Sequence, residues 1–206
     1  YQNIISKMIF KSIKKADKVI VQTKWIRDAA IKKANVKKEK FILKQPELNV
    51  SVKKLYTSDE NNGKLFFYPA SGLVYKNHEV IVKACKLLKD KGINDYKVIF
   101  TLKGDENKHI RKLREIVTGE NLPVEFIGSI DIETVYEYYS KSILIFPSYI
   151  ETFGLPMLEA KMHQAPIIAS DCAFSHEILD GYDKVEFFDP FDPFDLERYL
   201  KRRITK

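Results

Sequence analysis

Beyond residue 63 the chain alternates between short apolar runs and longer segments in which apolar residues recur at helical spacing. The runs do not alternate apolar with polar positions, which is typical of parallel strands buried on both faces. Five of the six runs are followed by an amphipathic helical pattern, so the sequence predicts a doubly wound α/β domain on a parallel sheet. The predicted strands are residues 64–68, 97–102, 124–127, 142–146, 166–169 and 185–188, and the predicted helices begin near residues 77, 110, 131, 155 and 193.

Polar and glycine residues mark the ends of several of these helices. Asn77 and Asp131 are suitable N-cap residues, because their side chains can accept a hydrogen bond from an amide of the first turn. Gly92 and Gly119 stand where two of the helical patterns stop, as glycine often does after a last helical turn.

The first 48 residues have a different organisation. An amphipathic helix, a strand at residues 18–22, a second helix from Thr23 and a strand at residues 41–43 follow one another. A unit of this size seldom forms a domain alone, so residues 1–48 are predicted to be the end of a larger domain. The polar residues 49–63 are predicted to be a linker, and residues 64–206 the main domain.

Composition narrows the function classes. Hydrophobic residues make up 45% and charged residues 31% of the 206 positions, as in ordinary globular proteins. Cys85 and Cys172 fit no metal-binding spacing, and we expect two reduced, mostly buried thiols in a cytoplasmic protein. The four histidines lack the i, i+4 pairing of a zinc helix, so no metal site is expected.

Positive charge is concentrated near the start of the chain. Residues 1–54 contain 15 lysine and arginine against 4 acidic residues, whereas the remaining residues contain 20 against 24. Such a block is typical either of a solvated lysine-rich face or of a segment that lies on the anionic inner face of a membrane, and both alternatives stay open. Nucleic-acid binding is disfavoured, because no recognisable binding motif accompanies the charge.

Candidate chemistry lies after the first and fourth predicted strands of the main domain, where open parallel sheets bind ligands. Lys76 comes directly before a helix, where a bound anion would bring its charge and the helix amides together, although an exposed lysine explains the spacing as well. Glu151 and Glu159 flank Gly154 and the helix start at Leu155. Two such carboxylates suit acid–base chemistry or the binding of sugar hydroxyls, and glutamates on a surface helix are the alternative.

The segment Glu151-Thr-Phe-Gly-Leu-Pro-Met-Leu-Glu159 resembles the glutamate–seven–glutamate signature of the retaining glycosyltransferase family 4, which has the two-domain GT-B fold. The resemblance extends over about residues 64–200, through Phe146-Pro-Ser148, Lys76-Asn77, Gly104-Asp105, Phe126-Ile-Gly128, Ala169-Ser-Asp171, Glu177 and Phe188-Asp-Pro190. It implies a Rossmann-like, nucleotide-sugar-binding half. Residues 16–23 are similar to the last helix–strand step of the family's acceptor domain.

The resemblance also implies roles for individual residues. Glu159 would bind the ribose hydroxyls, Lys76 the diphosphate, and Glu151, the candidate catalytic residue, hydroxyls of the transferred sugar. Backbone groups would seat the sugar and its phosphate at Phe153, Gly154 and Leu155. The other candidate nucleotide-binding residues are Ser71, Gly72 and the base-lining turn Gly128, Ser129 and Ile130. The donor would be a UDP- or GDP-linked sugar and no metal would be needed.

Three departures from the family pattern qualify this interpretation. Ser71 stands where many relatives have an arginine, so either backbone contacts replace it or diphosphate binding is weaker. Gln164 stands at a helix end where many relatives have glycine, which affects local turn geometry. The aspartate or histidine that relatives supply from the acceptor domain has no counterpart, so we expect this chain alone to be inactive.

The implied function is transfer of a sugar, with retention, from a nucleotide diphosphate to a glycan or lipid-linked acceptor in surface polysaccharide synthesis. The missing domain would select the acceptor, and the basic start would fit work at the inner membrane surface. Two alternatives stay open: a nucleotide-sugar 2-epimerase, disfavoured by the Phe-Gly-Leu-Pro filling, and a non-catalytic nucleotide-sugar sensor or subunit. A hydride-transfer enzyme is disfavoured because no G-x-G-x-x-G follows the first strand.

Overall fold

The computed structural model describes residues 2–47, 52–57 and 64–205, and the chain forms two compact units, Tyr1–Asn49 and Val50–Lys206. In the first unit, helix α1 (Gln2–Lys15), strand β1 (Val19–Val21), helix α2 (Lys24–Ala34) and strand β2 (Phe41–Leu43) follow one another, and the two strands pair in parallel. Thr23 caps α2 by accepting a hydrogen bond from the amide of Ile26 at 3.3 Å. These are the elements that the apolar pattern predicts.

The second unit contains a six-stranded sheet in which all neighbouring strands are parallel, in the order β5-β4-β3-β6-β7-β8. The strands are β3 (Leu65–Tyr68), β4 (Lys97–Phe100), β5 (Val124–Phe126), β6 (Ile143–Phe146), β7 (Ile167–Ser170) and β8 (Val185–Phe188). The helices are α3 (His78–Asp90), α4 (Lys108–Gly119), α5 (Ile132–Tyr139), α6 (Leu155–Met162), α7 (Ala173–Ile178) and α8 (Pro193–Ile204). The predicted doubly wound α/β fold is confirmed.

The central strands are buried on both faces, which is why they appear in the sequence as continuous apolar runs. All four residues of β6 and of β7 are buried, and Phe66, Phe67 and Tyr68 of β3 have no exposed surface. Removing this apolar area from water is the main force that holds the helices on the sheet. Cys85 is buried and Cys172 half-buried, and both are free thiols.

One of the four predicted helix-end signals needs correction. Asp131 caps α5, since its Oδ1 accepts from the amide of Thr134 at 2.8 Å, and Gly92 adopts a left-handed φ of +74° just after α3. Asn77 precedes α3 but is itself left-handed, and its side chain makes no capping hydrogen bond. Helix α4 ends at Gly119, as predicted, and the left-handed residue just beyond it is Asn121, with φ of +47°.

Part of the predicted linker is attached to the second unit. The amides of Tyr56 and Thr57 donate to the carbonyls of His163 and Ser140, at 2.7 and 3.3 Å. Residues 49–51 and 58–63 of that segment lie outside the described residues, and the predicted domain boundaries stay predictions. Over the described ranges, no helix combines the length and the apolar character that crossing a membrane requires.

Candidate functional site

The strand order creates a crevice at one place in the sheet. Strand β3 lies between β4 and β6, because the chain passes from β3 to β4 and β5 on one side and then crosses back to place β6 on the other side. In open parallel sheets, ligands bind beyond the carboxyl ends of the strands at such a switch point. The loops after β3 and β6, which carry Lys76 and Glu151, therefore meet at the expected binding edge.

Lys76 and Glu151 form an ion pair across this crevice, with Nζ and Oε1 2.5 Å apart. The two side chains are only 18% and 11% exposed, so the pair is largely shielded from solvent. Lys76 ends a short 3-10 turn, Val74–Lys76, and Asn77 separates it from the first residue of α3. The structure thus brings together two predicted site residues that lie 75 positions apart.

Tyr68, the last residue of β3, contacts both loops through its hydroxyl. Its hydroxyl donates to the carbonyl of Lys76 at 2.7 Å and lies 3.1 Å from Oγ of Ser148. Ser148 is held in turn by Ser170, whose hydroxyl donates to its carbonyl at 2.6 Å. The Tyr68 side chain is buried, and burial raises its pKa well above the ordinary value, so the hydroxyl stays protonated and can donate.

Asn77 joins three loops, which explains why its side chain does not cap α3. Its Nδ2 donates to the carbonyl of Pro147 at 3.2 Å and to that of Pro190 at 2.7 Å. The amide of Tyr149 also donates to the carbonyl of Tyr75, at 3.2 Å. The polar residue at this position therefore fixes the loops after β3, β6 and β8 against one another.

Helix α6 begins at the crevice because Gly154 permits an unusual backbone. Gly154 has φ of +94°, and a Cβ atom there would lie 2.6 Å from Cε of Met157. Phe153 is buried beneath the turn, whereas the Leu155 side chain is 40% exposed. The N-terminus of a helix presents amides and the positive end of its dipole, which favours an anion at this place.

Glu159 lies in the second turn of α6, and its Oε2 accepts a hydrogen bond from the Tyr139 hydroxyl at 3.0 Å. Burial raises the pKa of Glu159 above its ordinary value, although the Tyr139 hydrogen bond and nearby His163 oppose this effect. The two predicted glutamates therefore have different surroundings: Glu151 faces a lysine, and Glu159 faces a tyrosine. Nothing in the sequence pattern distinguished Tyr139 from a core residue.

A cavity of about 460 Å³ lies at the carboxyl ends of β3, β4 and the turn after β5. It contains four of the predicted nucleotide-binding residues: Ser71, Gly72, Ser129 and Ile130. The remaining lining residues are Pro69, Ala70, Thr101, Leu102, Glu106 and Val135. Its volume falls in the range of roughly 300–1,000 Å³ that small-molecule sites occupy.

Gly72 lines this cavity, whereas Gly128, also a predicted nucleotide-binding residue, precedes two lining residues without lining the cavity itself. A Cβ on Gly72 would lie 2.7 Å from Cγ1 of Ile110. The carbonyl of Gly72 accepts a hydrogen bond from Nδ2 of Asn107 at 2.7 Å. Gly128 has φ of +75°, and its amide donates to the carbonyl of Leu102 at 2.8 Å. A larger residue at Gly72 would clash with Ile110, whereas at Gly128 glycine suits the left-handed backbone.

Sequence reasoning missed Glu106 and His78. Glu106 faces the cavity from the loop after β4, a stretch with no periodic pattern that would single it out. His78 is buried at the start of α3, with its ring centroid 4.7 Å from that of Tyr68 and 4.9 Å from that of Phe100. Burial, with smaller contributions from His109 and Lys76, lowers its pKa to about 3.

The described residues include no group of three or more His, Cys, Asp or Glu side chains placed to hold a metal ion. The expectation that no metal is needed stays a prediction, because a cation can also be held by substrate phosphates with few protein ligands.

Residues 53–206 match the family described as Glycosyl transferases group 1. The chain is 25% identical over 182 residues to the O-antigen chain mannosyltransferase RfbU of Salmonella typhimurium, covering 86% of this chain and 49% of that protein. It is 28% identical over 196 residues to the uncharacterized glycosyltransferase MJ1178 of Methanocaldococcus jannaschii, covering 92% of this chain and 50% of that protein. The chain thus spans about half the length of these curated relatives.

Solved structures share the fold. The crystal structure of Anabaena HepE in complex with UDP and glucose superposes with a TM-score of 0.79 at 15% identity, covering 99% of this chain and 59% of that chain. Sucrose-phosphate synthase from Thermosynechococcus elongatus superposes with a TM-score of 0.75 at 22% identity, covering 96% of this chain and 51% of that chain.

Proposed function

This chain belongs to the Glycosyl transferases group 1 family, and we propose that its second unit binds the nucleotide-sugar donor of a retaining glycosyltransferase. The donor is a sugar linked to a nucleoside diphosphate, bound along the carboxyl edge of the six-stranded sheet. The observation that carries this proposal is the shielded ion pair between Lys76 and Glu151, beside the N-terminus of α6.

The Lys76–Glu151 pair offers a cation to the diphosphate of the donor and a carboxylate to its sugar. The Lys76 ammonium and the amides at the start of α6 favour the diphosphate, because both present positive charge to the same place. The Glu151 carboxylate accepts hydrogen bonds from sugar hydroxyls. When the donor binds, its phosphate replaces Glu151 as the partner of Lys76, and the sugar satisfies the released carboxylate.

The nucleoside occupies the opposite side of the switch point. In this proposal Glu159 accepts from the ribose hydroxyls, and the base enters the cavity lined by Ser71, Gly72, Ser129 and Ile130. As the diphosphate leaves, Lys76 and the helix amides stabilise its charge, so the proposed chemistry needs no divalent metal.

Transfer itself requires an acceptor held beside the donor. Since the chain spans about half of its curated relatives, we propose that the acceptor site lies mainly in residues beyond this chain and that the chain alone does not turn over. The name of RfbU, an O-antigen chain mannosyltransferase, supports a glycan or lipid-linked acceptor in surface polysaccharide synthesis. A cytoplasmic location, and contact of the basic start with a membrane, stay predictions.

Titration calorimetry of the 206-residue chain with GDP and UDP tests the donor site. We expect Lys76→Ala to weaken binding by about 1.5–3 kcal/mol and to flatten its salt dependence, since it removes a cation that faces the diphosphate. Glu159→Ala should weaken nucleotide binding by a similar amount at every salt concentration, because it removes hydrogen bonds to the ribose. Lys83→Ala, a surface lysine of α3 paired with Glu79, is the control and leaves affinity unchanged. At a generic anion site, Lys76→Ala would lower the affinity and Glu159→Ala would leave it unchanged.

A further inference from the structure

We propose that the cavity beyond β3, β4 and β5 selects guanine, and that Glu106 is the residue that makes the selection. This inference rests on the proposed function, since it concerns the base of the same nucleotide donor. Of the ten residues that line the cavity, Glu106 alone carries an ionisable side chain. The polar side chains that share the lining are hydroxyls, on Ser71, Thr101 and Ser129.

The loop after β4 holds the Glu106 carboxylate in a fixed position. Oε1 accepts from the amide of Lys103 at 2.6 Å and Oε2 from the amide of Gly104 at 3.1 Å. A carboxylate offers about four acceptor positions, so these two bonds fix it without exhausting its capacity. Gly104 permits this turn with φ of +93°.

The same amides keep Glu106 ionised. Partial burial raises the pKa of this carboxyl, but the backbone hydrogen bonds, with those from Lys103 and Gly104 among them, outweigh that effect and leave the pKa below its ordinary value. An ionised carboxylate accepts hydrogen bonds and donates none. At neutral pH Glu106 therefore lines the cavity as a preoriented, ionised acceptor, and a hydrogen-bond donor on the base can occupy its remaining acceptor positions.

Guanine, uracil and adenine differ in the hydrogen-bond donors that they can offer to such a carboxylate. Guanine carries two adjacent donors, the N1–H and the exocyclic amino group, which match the two oxygens of a carboxylate. Uracil flanks its single N–H with two carbonyl oxygens, which a carboxylate repels, and adenine places an acceptor beside its amino group. The hydroxyls of Ser71, Thr101 and Ser129 can donate or accept, so they adapt to any base and do not discriminate.

Ligand comparison on the unaltered 206-residue chain tests the selection without any substitution. We expect titration calorimetry to give GDP an affinity about 10-fold or more above that of UDP and ADP, as a good bidentate base contact provides. Inosine diphosphate, which keeps the N1–H but lacks the exocyclic amino group, should bind more weakly than GDP. Equal affinities for GDP, inosine diphosphate and UDP would overturn the proposal.

Substitution then assigns the selection to Glu106. Glu106→Gln keeps the shape of the side chain and one acceptor oxygen, and it should lower GDP affinity about 10-fold while UDP affinity stays unchanged. Asp105→Asn removes the same charge from the neighbouring residue, which does not line the cavity, and should leave both affinities unchanged. A GDP preference that survives Glu106→Gln, or is lost with Asp105→Asn, refutes the role of Glu106 while leaving the donor site intact. If no nucleoside diphosphate binds, the proposed function fails together with this inference.

Discussion

Replacing His78 with phenylalanine should stabilise the second unit, because the imidazole is buried without hydrogen bonds. The side chain is 1% exposed, and neither ring nitrogen has a hydrogen-bond partner among the described residues. Leaving a buried polar group unsatisfied costs about 1–3 kcal/mol. A phenyl ring keeps the contacts with the rings of Tyr68 and Phe100 and has no polar atom to satisfy.

The effect should grow as the pH falls. The pKa of His78 is about 3 in the folded chain, against 6.5 for an unperturbed histidine. Above pH 6.5 the ring is neutral in both states and adds no pH dependence, whereas below pH 6.5 only the unfolded chain binds the proton. The free energy of unfolding therefore decreases as the pH falls from 6.5 towards 3, by about 1.4 kcal/mol at pH 5.5 and about 2.7 kcal/mol at pH 4.5.

Hydrogen exchange of the β3 and β4 amides is the appropriate assay, because Trp25, the single tryptophan, lies in the first unit. Between pH 7.5 and 5.5 the unaltered chain should lose about 1.4 kcal/mol more of opening free energy than His78→Phe. An equal loss of stability in His78→Phe and the unaltered chain would refute the reasoning.

Two further substitutions test the scaffold of the site. Tyr68→Phe keeps the buried ring but removes its two hydroxyl contacts. It should lower the free energy of unfolding by about 1–2 kcal/mol in a denaturant titration and weaken diphosphate binding in calorimetry. Unchanged affinity would show that the hydroxyl does not position the loops. Gly154→Ala places a Cβ 2.6 Å from Met157 at φ of +94° and should lower the free energy of unfolding by about 3 kcal/mol or more. The control is Gly92→Ala, at a left-handed position with no atom within 4 Å of the added Cβ, which should lower it by about 1–2 kcal/mol. Equal losses of stability would contradict the clash with Met157.

The strands were predictable because full burial leaves an apolar run in the sequence, but local polar signals were less informative. Asn77 has the residue type and position of an N-cap, yet its side chain reaches Pro190, 113 positions away. Helix α7 was missed because it has only six residues, too few for a helical period to be recognised. Gln164 does adopt the left-handed backbone, with φ of +58°, at the position where the family pattern has glycine.

The site was predictable residue by residue but not as a set of contacts. Lys76 and Glu151 stand out through the family motif, but their pairing depends on β3 and β6 being neighbours, which no local pattern specifies. Tyr139 and Glu106 were missed for a related reason. Each acquires its place in the site only when a distant loop or helix folds against it, so neither is marked by its neighbours in sequence.

The donor site is tested most directly by comparing a nucleotide sugar with the bare nucleoside diphosphate on Glu151→Ala, by titration calorimetry of the 206-residue chain. Because Glu151 is proposed to contact the sugar, its removal should lower the affinity for the nucleotide sugar about 10-fold. It should leave the affinity for the bare diphosphate unchanged or higher, since Lys76 loses its competing partner. Glu125→Ala, at a surface pair with Lys97, is the control and should change neither affinity. Equal losses for both ligands, or no binding by the unaltered chain, would contradict the account.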